Sequence, residues 1–403
     1  MKKIIFTVLL SICGTVASYA QSSSNGCDTT IWLVNIYPGP EIYELEGHTA
    51  LRIKTCEMDV AVNYGMFNFD SPNFVYRFVK GETDYMVGAL PWQLFMSQYT
   101  GSGRRIVAHR LNLDKTQKTK LLELVKENVL PQNCVYRYNY VLDNCATRPV
   151  RIIERAAGDT LMFTMSDNVP DLSSFREYMR HYHRNYPWYQ FGIDIALGKG
   201  IDREIDDREK TFAPVILDGL IDKVTIGEGS GKKLVAETEV WFDSRPDAAV
   251  LEGTPWFLTP AFISWLLFAF VLIYCLHKSV VKGQYPRLVA STLFLIYGLT
   301  GLLVTFLVFV SVHESTSPNL NLLWLNPLCF VPVVCQWINK AVKINIVYFL
   351  LNFVLLLAVI LLWIVGYQSP NAAFIPLVLT DLCLSFFFLY LYLPISGKKK
   401  TLH

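Results

Sequence analysis

The sequence has no surplus of charge of either sign, and charge almost disappears from one long stretch. The 403 residues include 36 Lys and Arg against 34 Asp and Glu, so the concentrated basic surface of a nucleic-acid-binding protein is absent. Seven charged residues lie in 256–395, against 60 in 1–255. The first stretch has the composition of a soluble domain, whereas the second is too apolar for water. This contrast excludes a wholly cytosolic protein and indicates that the membrane, and not a nucleic acid, is a partner.

Cysteine is scarce in residues 21–255. That stretch of about 235 residues contains four cysteines, too few for a disulfide-based scaffold. The sequence alone does not fix which of Cys27, Cys56, Cys134 and Cys145 are paired. If one of them is a reactive thiol, a second one must also stay unpaired. Zinc-ligand spacings and glycine-rich phosphate loops are missing, so we expect no metal and no nucleotide cofactor.

The first twenty residues have the parts of a secretory signal peptide. Lys2 and Lys3 supply the positive start, residues 4–12 form an apolar core, and 17–20 (ASYA) form a small-x-small cleavage site. The apolar core is too short to span a membrane. We therefore predict cleavage after Ala20 and export of the following domain.

Five apolar runs of 19 to 25 residues follow, each long enough to cross the hydrocarbon core as a helix. Pro327 and Pro332 are expected to kink the third run. The five predicted spans are 256–276, 288–312, 320–338, 344–367 and 372–395.

The basic residues of the short loops predict the orientation. Eight Lys or Arg residues fall on one side of the five spans and none on the other, which places the basic side in the cytoplasm. An odd number of spans then puts the C-terminus in the cytoplasm and residues 21–255 in the periplasm. The sequence therefore predicts a multi-pass protein of a bacterial inner membrane.

The exported part mixes predicted strands and helices, so we expect an α+β domain. Alternation in 48–54 (HTALRIK) predicts a strand with Thr49, Leu51 and Ile53 on one face, and Gly65 indicates a bulge in the following strand. Residues 115–129 have helical spacing, with Asp114 as the cap. We predict a periplasmic catalytic domain over 21–221, an irregular connection over 222–255, a membrane domain over 256–395 and a cytoplasmic tail over 396–403.

Cys145 occupies a position suited to a reactive thiol. A predicted strand, 135–142, leads to Asp143 and Asn144, which should cap a helix over 145–157. Free N–H groups and the dipole at a helix start favour a thiolate and lower its pKa. On the pattern alone, an inert buried thiol or half of a disulfide is about as probable as a nucleophile.

A base for such a thiol is also available. His48 begins the strand HTALRIK and is the best candidate, and Asn63 on the next strand could orient its imidazole. His109, His181 and His183 compete for the same role. His313, Asn321 and Asn326 lie near the periplasmic ends of the second and third spans, where they would contact lipid headgroups or an acceptor, or simply cap loops.

Four segments of the exported part form one set of motifs: EGHTALR at 46–52, NYGMFNF at 63–69, GETDY at 81–85 and DNCATR at 143–148. Together they resemble one family, the Lnb-type membrane proteins of Bacteroidota, and the motif NLNLLWLNP at 319–327 fits as well. The resemblance implies a permuted papain-like (NlpC/P60-like) domain, in which the His strand precedes the Cys helix, followed by five transmembrane helices. It also implies a lipoprotein N-acyltransferase that uses a phospholipid acyl donor and a diacylated lipoprotein acceptor.

The resemblance assigns roles to residues of this chain. It implies Cys145 as the nucleophile, His48 as the base and Asn63 as the orienting residue, with Asn144, Tyr64 and Arg148 beside the substrate. Two alternatives stay open: a membrane-tethered cysteine peptidase or amidase acting on cell-wall peptides, and a non-catalytic membrane assembly protein. Asp381 within the fifth predicted span indicates either a functional carboxylate or a hydrogen bond between helices.

Overall fold

The computed structural model describes residues 28–68, 70–229, 231–244 and 253–393. The predicted signal peptide, 1–20, and cytoplasmic tail, 396–403, lie outside these residues. Contacts divide the chain into two compact units. Of the described residues, the first unit contains those up to Tyr178 and those from Glu204 to 244, and the second contains Met179–Arg203 and those from 253 onward.

The first unit is built on one antiparallel sheet, with helices on both faces, so the predicted α+β class is confirmed. Its seven strands run in the order β6-β4-β3-β2-β1-β5-β9, and β7 and β8 form a separate pair. The strands are β1 Thr30–Ile36, β2 His48–Lys54, β3 Asp59–Met66, β4 Asp84–Pro91, β5 Ile106–Leu111, β6 Val135–Arg137, β7 Leu161–Met162, β8 Thr225–Ile226 and β9 Val235–Phe242. The helices up to residue 244 are α1 Phe74–Lys80, α2 Trp92–Gly101, α3 Lys115–Asn128, α4 Thr147–Ala157, α5 Phe175–Tyr182, α6 Pro187–Ala196 and α7 Pro214–Ile221.

The two faces of the sheet form separate cores. The predicted alternation in β2 is confirmed, since Thr49, Leu51 and Ile53 are buried on one face. That face packs against α3, α4 and α7, and the core there includes Cys145. The other face is covered by aromatic residues of α2, among them Tyr99. Successive residues of β2 therefore place their side chains in different cores, one on each face of the sheet.

Two local predictions around the sheet are confirmed. The pairing of β3 with β4 shifts register between Asn63 and Met66, and Gly65 in between has φ 87°, which only glycine adopts easily. Asp114 caps α3, because its side chain accepts the Gln117 N–H while the Gln117 side chain accepts the Asp114 N–H.

The predicted strand 135–142 is shorter in the structure. It ends as β6 at Arg137, and Asn139 then folds the chain into a turn by accepting the N–H groups of Val141 and Leu142. Asparagine offers the backbone this alternative to a strand ladder. The following helix, α4, begins at Thr147, two residues after Cys145.

Residues 222–255, which we expected to be an irregular connection, contain a strand of the main sheet. β9 pairs with β5 at the sheet edge, and most of its side chains are exposed. Both faces of this edge strand carry polar residues, Glu237 and Thr238 among them, so the alternation that reveals a half-buried strand is missing.

Among its described residues, the second unit contains four helices long and apolar enough to cross a membrane. They correspond to the first, second, fourth and fifth predicted spans. They are α8 Pro260–Cys275, which continues as a π-helical turn to Val281, α9 Arg287–Phe309, α11 Val342–Ile364 and α12 Phe374–Tyr392. The short helix α10 Phe330–Cys335 lies between α9 and α11.

The predicted third span, 320–338, is not one continuous helix. It consists of 3-10 turns at Leu320–Leu323 and Pro327–Cys329 followed by α10. Asn326 ends the first part, because its side chain accepts the Leu328 N–H and Pro327 begins a new turn.

This broken segment nevertheless runs antiparallel beside α9. Near its start the Thr316 hydroxyl donates to the Leu307 carbonyl at 2.7 Å. At its other end Trp337 Nε1 donates to Ser291 Oγ at 2.8 Å. The helical rise between Leu307 and Ser291 is about 24 Å, most of the thickness of a hydrocarbon core. The segment therefore extends along most of the length of α9, and its passage across the membrane stays a prediction.

Part of the predicted catalytic domain belongs to this second unit. Asn321 Nδ2 donates to the Asp194 carbonyl of α6 at 2.9 Å, and Asn319 Nδ2 donates to the Ile195 carbonyl at 3.0 Å. Arg180 forms an ion pair with the buried Asp194 carboxylate at 3.1 Å. Met179–Arg203 is therefore held by the loops between the apolar helices.

Asp381 makes a contact between two apolar helices. Its Oδ1 accepts from Asn352 Nδ2 of α11 at 2.8 Å and from Ser385 Oγ at 3.3 Å. The contact the structure shows is therefore the hydrogen bond between helices that the sequence offered as one alternative.

We predict that Gly301→Ala destabilises the second unit. A Cβ at Gly301 would lie 2.5 Å from the main-chain nitrogen of Asn326, so α9 and the broken segment would have to separate, at a cost of about 1–3 kcal/mol. The measurement is the thermal unfolding temperature in micelles. The control is Gly192→Ala in α6, where a Cβ would meet open space. Equal unfolding temperatures for the two variants would contradict the packing described here.

Candidate active site

Cys145 lies in the turn that leads into α4, and it is 8% exposed. Asn144 shapes this turn. Its Oδ1 accepts the N–H groups of Ala146 and Thr147 at 2.8 and 2.9 Å, and its Nδ2 donates to the carbonyls of Tyr140 and Phe212 at 2.6 and 2.8 Å. The polar atoms of Asn144 are thus used within the protein, where they fix the turn that presents Cys145.

Three donors surround the Cys145 sulfur. The main-chain N–H groups of Thr49 and of Cys145 itself and the Tyr138 hydroxyl all donate toward it. The bulge of β3 lies beside this arrangement, since a Cβ at Gly65 would be in ordinary contact with Cys145 Cβ, at 3.5 Å, and with the Tyr138 ring, at 3.6 Å. The Cys145 thiol therefore lies where three elements come together: the turn before α4, the start of β2 and the bulge of β3.

The expectation of a lowered thiol pKa is wrong for the resting site. Burial raises the pKa of Cys145 to about 11, and the nearby Glu46 carboxylate adds to the rise, although the three donors oppose it. The loss of hydration outweighs the field of the helix, whose first turn begins two residues later. Cys145 is therefore a neutral thiol at pH 7, and it needs a base to become a nucleophile.

A hydrogen bond to Asn63 and burial determine the orientation and protonation state of His48. Its Nε2 lies 2.6 Å from Asn63 Oδ1, so the amide oxygen accepts the Nε2 proton and Nδ1 is left as the basic nitrogen. The imidazole stacks on the Tyr99 ring, with centroids 6.0 Å apart. Burial lowers the pKa of His48 to about 4, and Arg104 lowers it further, against the opposing effect of Asn63. The imidazole is therefore neutral at pH 7.

The backbone of β2 connects these two groups. Thr49, whose N–H donates to the Cys145 sulfur, is the residue after His48. The structure thus brings the start of the His48 strand against Cys145 and joins His48 to Asn63 by a hydrogen bond.

Tyr64 and Arg148 lie close to this site but are engaged in the fold. Tyr64 is completely buried in the core of the sheet. Arg148 forms two hydrogen bonds with Asp143, at 2.8 and 2.7 Å, and its guanidinium lies 3.4 Å from the centroid of the Tyr136 ring. The carboxylate of Asp143 therefore balances the charge of Arg148.

The three site residues predicted near the spans lie in the second unit. The carboxamide of Asn321 donates to α6 and accepts from Trp324 Nε1 at 3.2 Å, and Asn326 caps the turn that follows it. His313 is half-buried, and its carbonyl accepts the Thr316 N–H at 3.2 Å. Asn321 and Asn326 thus make the loop-capping contacts that the sequence offered as the simpler alternative.

The competing histidines have other surroundings. His109 lies between the carboxylates of Asp218 and Asp222. His183 Nδ1 lies 2.7 Å from Gln190 Oε1, and His181 lies in the last turn of α5.

Sequence reasoning missed several groups around the thiol. Burial raises the pKa of Glu46 to about 7, so this carboxyl is partly protonated at neutral pH beside Cys145. Several tyrosines also lie within electrostatic reach of the thiol: Tyr85, Tyr99, Tyr136 and Tyr138. The available signals were the position of Glu46 two residues before His48 and the tyrosine-rich run after residue 135.

A reactive thiol among the four cysteines of residues 21–255 requires that a second one is also unpaired. Cys56 is disulfide-bonded, whereas Cys134 and Cys145 are free. A second thiol is therefore unpaired alongside Cys145, as the sequence required, while Cys27 lies outside the described residues.

The fold and the site together define a membrane protein with several apolar spanning helices and an α+β domain that buries a thiol beside a histidine-bearing strand. Two family models match the sequence. One, described as the Lnb N-terminal periplasmic domain, matches residues 16–180, and the other, the Lnb transmembrane domain, matches residues 252–394. The chain belongs to the Lnb family, which confirms the resemblance seen in its motifs.

Family membership makes the chain an inner-membrane protein with a periplasmic N-terminal domain, and it is consistent with an enzyme of lipoprotein processing. No curated protein and no solved structure matches the chain.

We predict that iodoacetamide modifies Cys145 more slowly than a model thiol at pH 7, with a rate that rises steeply toward pH 10. The reason is the raised pKa of about 11, which leaves little thiolate near neutrality. Mass spectrometry of the Cys145 peptide gives the rate at each pH, and Cys134, a less buried free thiol, provides an internal comparison. Modification at pH 7 faster than that of the model thiol would show that the resting thiol is ionised.

Proposed function

We propose that this protein is a lipoprotein N-acyltransferase. It moves an acyl chain from a phospholipid, through a thioester on Cys145, to the α-amine of the N-terminal diacylglyceryl-cysteine of a lipoprotein. The observation that carries the proposal is the meeting of the Cys145 thiol with the start of β2, where His48 is oriented by Asn63. Membership of the Lnb family supports the lipoprotein substrate, and the chain order of His48 before Cys145 supports a permuted papain-like domain.

In the first half of the reaction the acyl group moves from oxygen to sulfur. His48 Nδ1 takes the Cys145 proton as the sulfur attacks the ester carbonyl of the phospholipid. The carbon–sulfur bond forms, the ester carbon–oxygen bond breaks, and the imidazolium returns the proton to the leaving alkoxide. The products are an acyl thioester and a lysophospholipid. The N–H groups of Cys145 and Thr49, which converge at the sulfur, are suited to stabilise the oxyanion of this step.

In the second half the acyl group moves from sulfur to nitrogen. The neutral α-amine of the lipoprotein attacks the thioester carbonyl, and His48 accepts the proton that the nitrogen loses. The carbon–sulfur bond then breaks, and the thiolate recovers a proton from the imidazolium. An ester and an amine are thus converted into an amide and an alcohol, and the enzyme returns to its neutral thiol and neutral imidazole.

Protection of the thioester from water separates a transferase from a lipase. Cys145 is 8% exposed, and the aromatic rings of Tyr85, Tyr99 and Tyr138 lie around it. Such a lining excludes bulk water. It therefore favours aminolysis of the thioester over its hydrolysis.

We predict that Cys145→Ala and His48→Ala abolish the gain of one acyl chain by a synthetic diacylglyceryl-cysteine peptide. The assay uses the full protein in micelles with a phospholipid donor and mass spectrometry of the peptide, and each variant is checked for its unfolding temperature. Cys134→Ala, which removes the other free thiol of the first unit's described residues, is the matched control and should keep the activity.

Three other outcomes of this assay would each contradict the proposal. Release of lysophospholipid without acylated peptide would indicate a lipase. Cleavage of cell-wall peptides, lost in Cys145→Ala, would favour the peptidase or amidase. Activity that persists in Cys145→Ala would remove the thioester from the mechanism.

We predict that kcat/KM for acyl transfer stays constant between pH 6 and pH 8 and falls only as the pH approaches 4. The free enzyme loses its base when His48 is protonated, and burial lowers the pKa of His48 to about 4. The measurement is initial rates over pH 4–8 with an acceptor amine at fixed concentration of its neutral form, and circular dichroism confirms folding at each pH. An acidic limb centred near the ordinary histidine pKa of about 6.5 would place His48 in a solvated environment instead.

A further inference from the structure

A chain of buried hydrogen bonds crosses three neighbouring strands and ends at the thiol site. His109 of β5, Asn35 of β1 and Thr49 of β2 share the sheet face that packs against α7, as their strand pairings show. The Thr49 hydroxyl donates to Asn35 Oδ1 at 2.8 Å, and Asn35 Nδ2 donates to Asp218 Oδ1 at 3.3 Å. His109 Nε2 lies 2.8 Å from the same Asp218 oxygen.

These polar groups lie in an otherwise apolar core. Asn35 and His109 are each 1% exposed, and Thr49 is completely buried. Polar groups in such a place are unfavourable unless they are hydrogen-bonded, and a satisfied network holds its members in one arrangement. The network therefore restrains the positions of the strand residues that it joins.

The network is anchored by an ion pair. His109 Nδ1 lies 3.1 Å from Asp222 Oδ1 and 3.0 Å from the Thr238 hydroxyl, so acidic groups face both ring nitrogens. These carboxylates raise the pKa of His109 against the effect of its burial. The Asp218 carboxylate accepts further hydrogen bonds from Asn35 Nδ2 at 3.3 Å and from the Tyr37 hydroxyl at 2.6 Å.

The other end of the network restrains the start of β2. Gly47 precedes the strand with φ 82°, so the residues at its start follow a sharp change of chain direction. Thr49 is tied by its side chain to Asn35, and its main-chain N–H donates to the Cys145 sulfur. A shift of Thr49 would move both this donor and the neighbouring His48.

We propose that His109, Asp218 and Asn35 are positioning residues for the thiol site and that they act through Thr49. The ion pair holds Asn35, Asn35 holds the Thr49 hydroxyl, and Thr49 holds its N–H against the Cys145 sulfur beside His48. The inference deepens the proposed function, since it rests on Cys145 as the nucleophile. It assigns a role to His109, which the sequence offered only as a rival base.

The test measures the thiol itself and requires no lipid substrate. Iodoacetamide modification of Cys145 is followed by mass spectrometry from pH 6 to pH 10 in the full protein, in Thr49→Val and in Thr49→Ser. Valine keeps the shape of threonine and removes the hydroxyl, whereas serine keeps the hydroxyl. The titrating groups that face Cys145, which none of these variants changes, are Glu46, Tyr85, Tyr99, Tyr136 and Tyr138, with His48 beside them.

We expect Thr49→Val to react about threefold to tenfold more slowly at pH 8, with the midpoint of its pH profile moved upward, because a misplaced N–H stabilises the thiolate less. Thr49→Ser should stay within about twofold of the wild type, since its hydroxyl still reaches Asn35. A Thr49→Val protein that is folded and reacts like the wild type would overturn the proposal. Equal slowing of both variants would overturn it as well, because the methyl group would then be responsible.

A second pair of variants tests the anchored end of the network. Asp218→Asn breaks the ion pair with His109 and should slow the modification of Cys145, whereas Tyr37→Phe removes a hydrogen bond on Asp218 that does not lead to Thr49 and should not. An effect of Tyr37→Phe equal to that of Asp218→Asn would show that general loosening of the core is the cause. If Asp218→Asn does not fold, the Thr49 pair decides the question.

This experiment also separates the inference from the proposed function. If the protein acylates no amine but the Thr49 variants react as expected, the positioning network is supported and the acyltransferase function is contradicted. If the protein is an active acyltransferase but Thr49→Val does not change the modification rate of Cys145, the function is supported and the network is contradicted.

Discussion

The burial of one thiol against the start of a strand is the constraint on which the rest of this site depends. Cys145 lies in the turn before α4, where the Thr49 N–H and the Tyr138 hydroxyl reach its sulfur. The bulge at Gly65 lies next to the thiol. Loss of hydration then decides the electrostatics, since it raises the pKa of Cys145 and lowers that of His48. Both groups are neutral at rest. In the proposed reaction, the same environment that suppresses the thiolate keeps water away from the acyl thioester.

The polar residues around this site in the first unit have a common role, which is to hold the start of β2 in place. In the proposed reaction the proton passes from a neutral thiol to a neutral imidazole, so the position of β2 relative to Cys145 matters. Asn63 fixes the tautomer of His48 from one face of the sheet. Asn35 and Thr49 form their network on the other face, where the ion pair of His109 anchors it. The two sets of hydrogen bonds hold the same few residues of one strand from opposite sides.

The second unit uses its polar residues differently. Asn321 secures α6 to the loops between the apolar helices, and Asp381 joins α12 to Asn352 of α11. In a segment that lipid surrounds, such groups are stable only when they are paired, and the pairing in turn fixes how the helices pack. The close approach of Asn326 to Gly301 shows how the broken third segment passes beside α9 without being a regular helix.

Features that depend on local pattern could be predicted from the sequence. Alternation located β2 and its buried face, glycine located the bulge of β3, and uninterrupted apolar runs located four long helices. It did not reveal β9, whose exposed edge carries no alternation, or the attachment of Met179–Arg203 to the second unit. The motifs also selected Cys145, His48 and Asn63 as candidates. Three features of the site could not be predicted without the folded chain. They are the neutral thiol, the hydrogen bond of His48 to Asn63 and the network from His109 to Thr49. Hydration and distance depend on which faces meet, and residues far apart in the chain determine that.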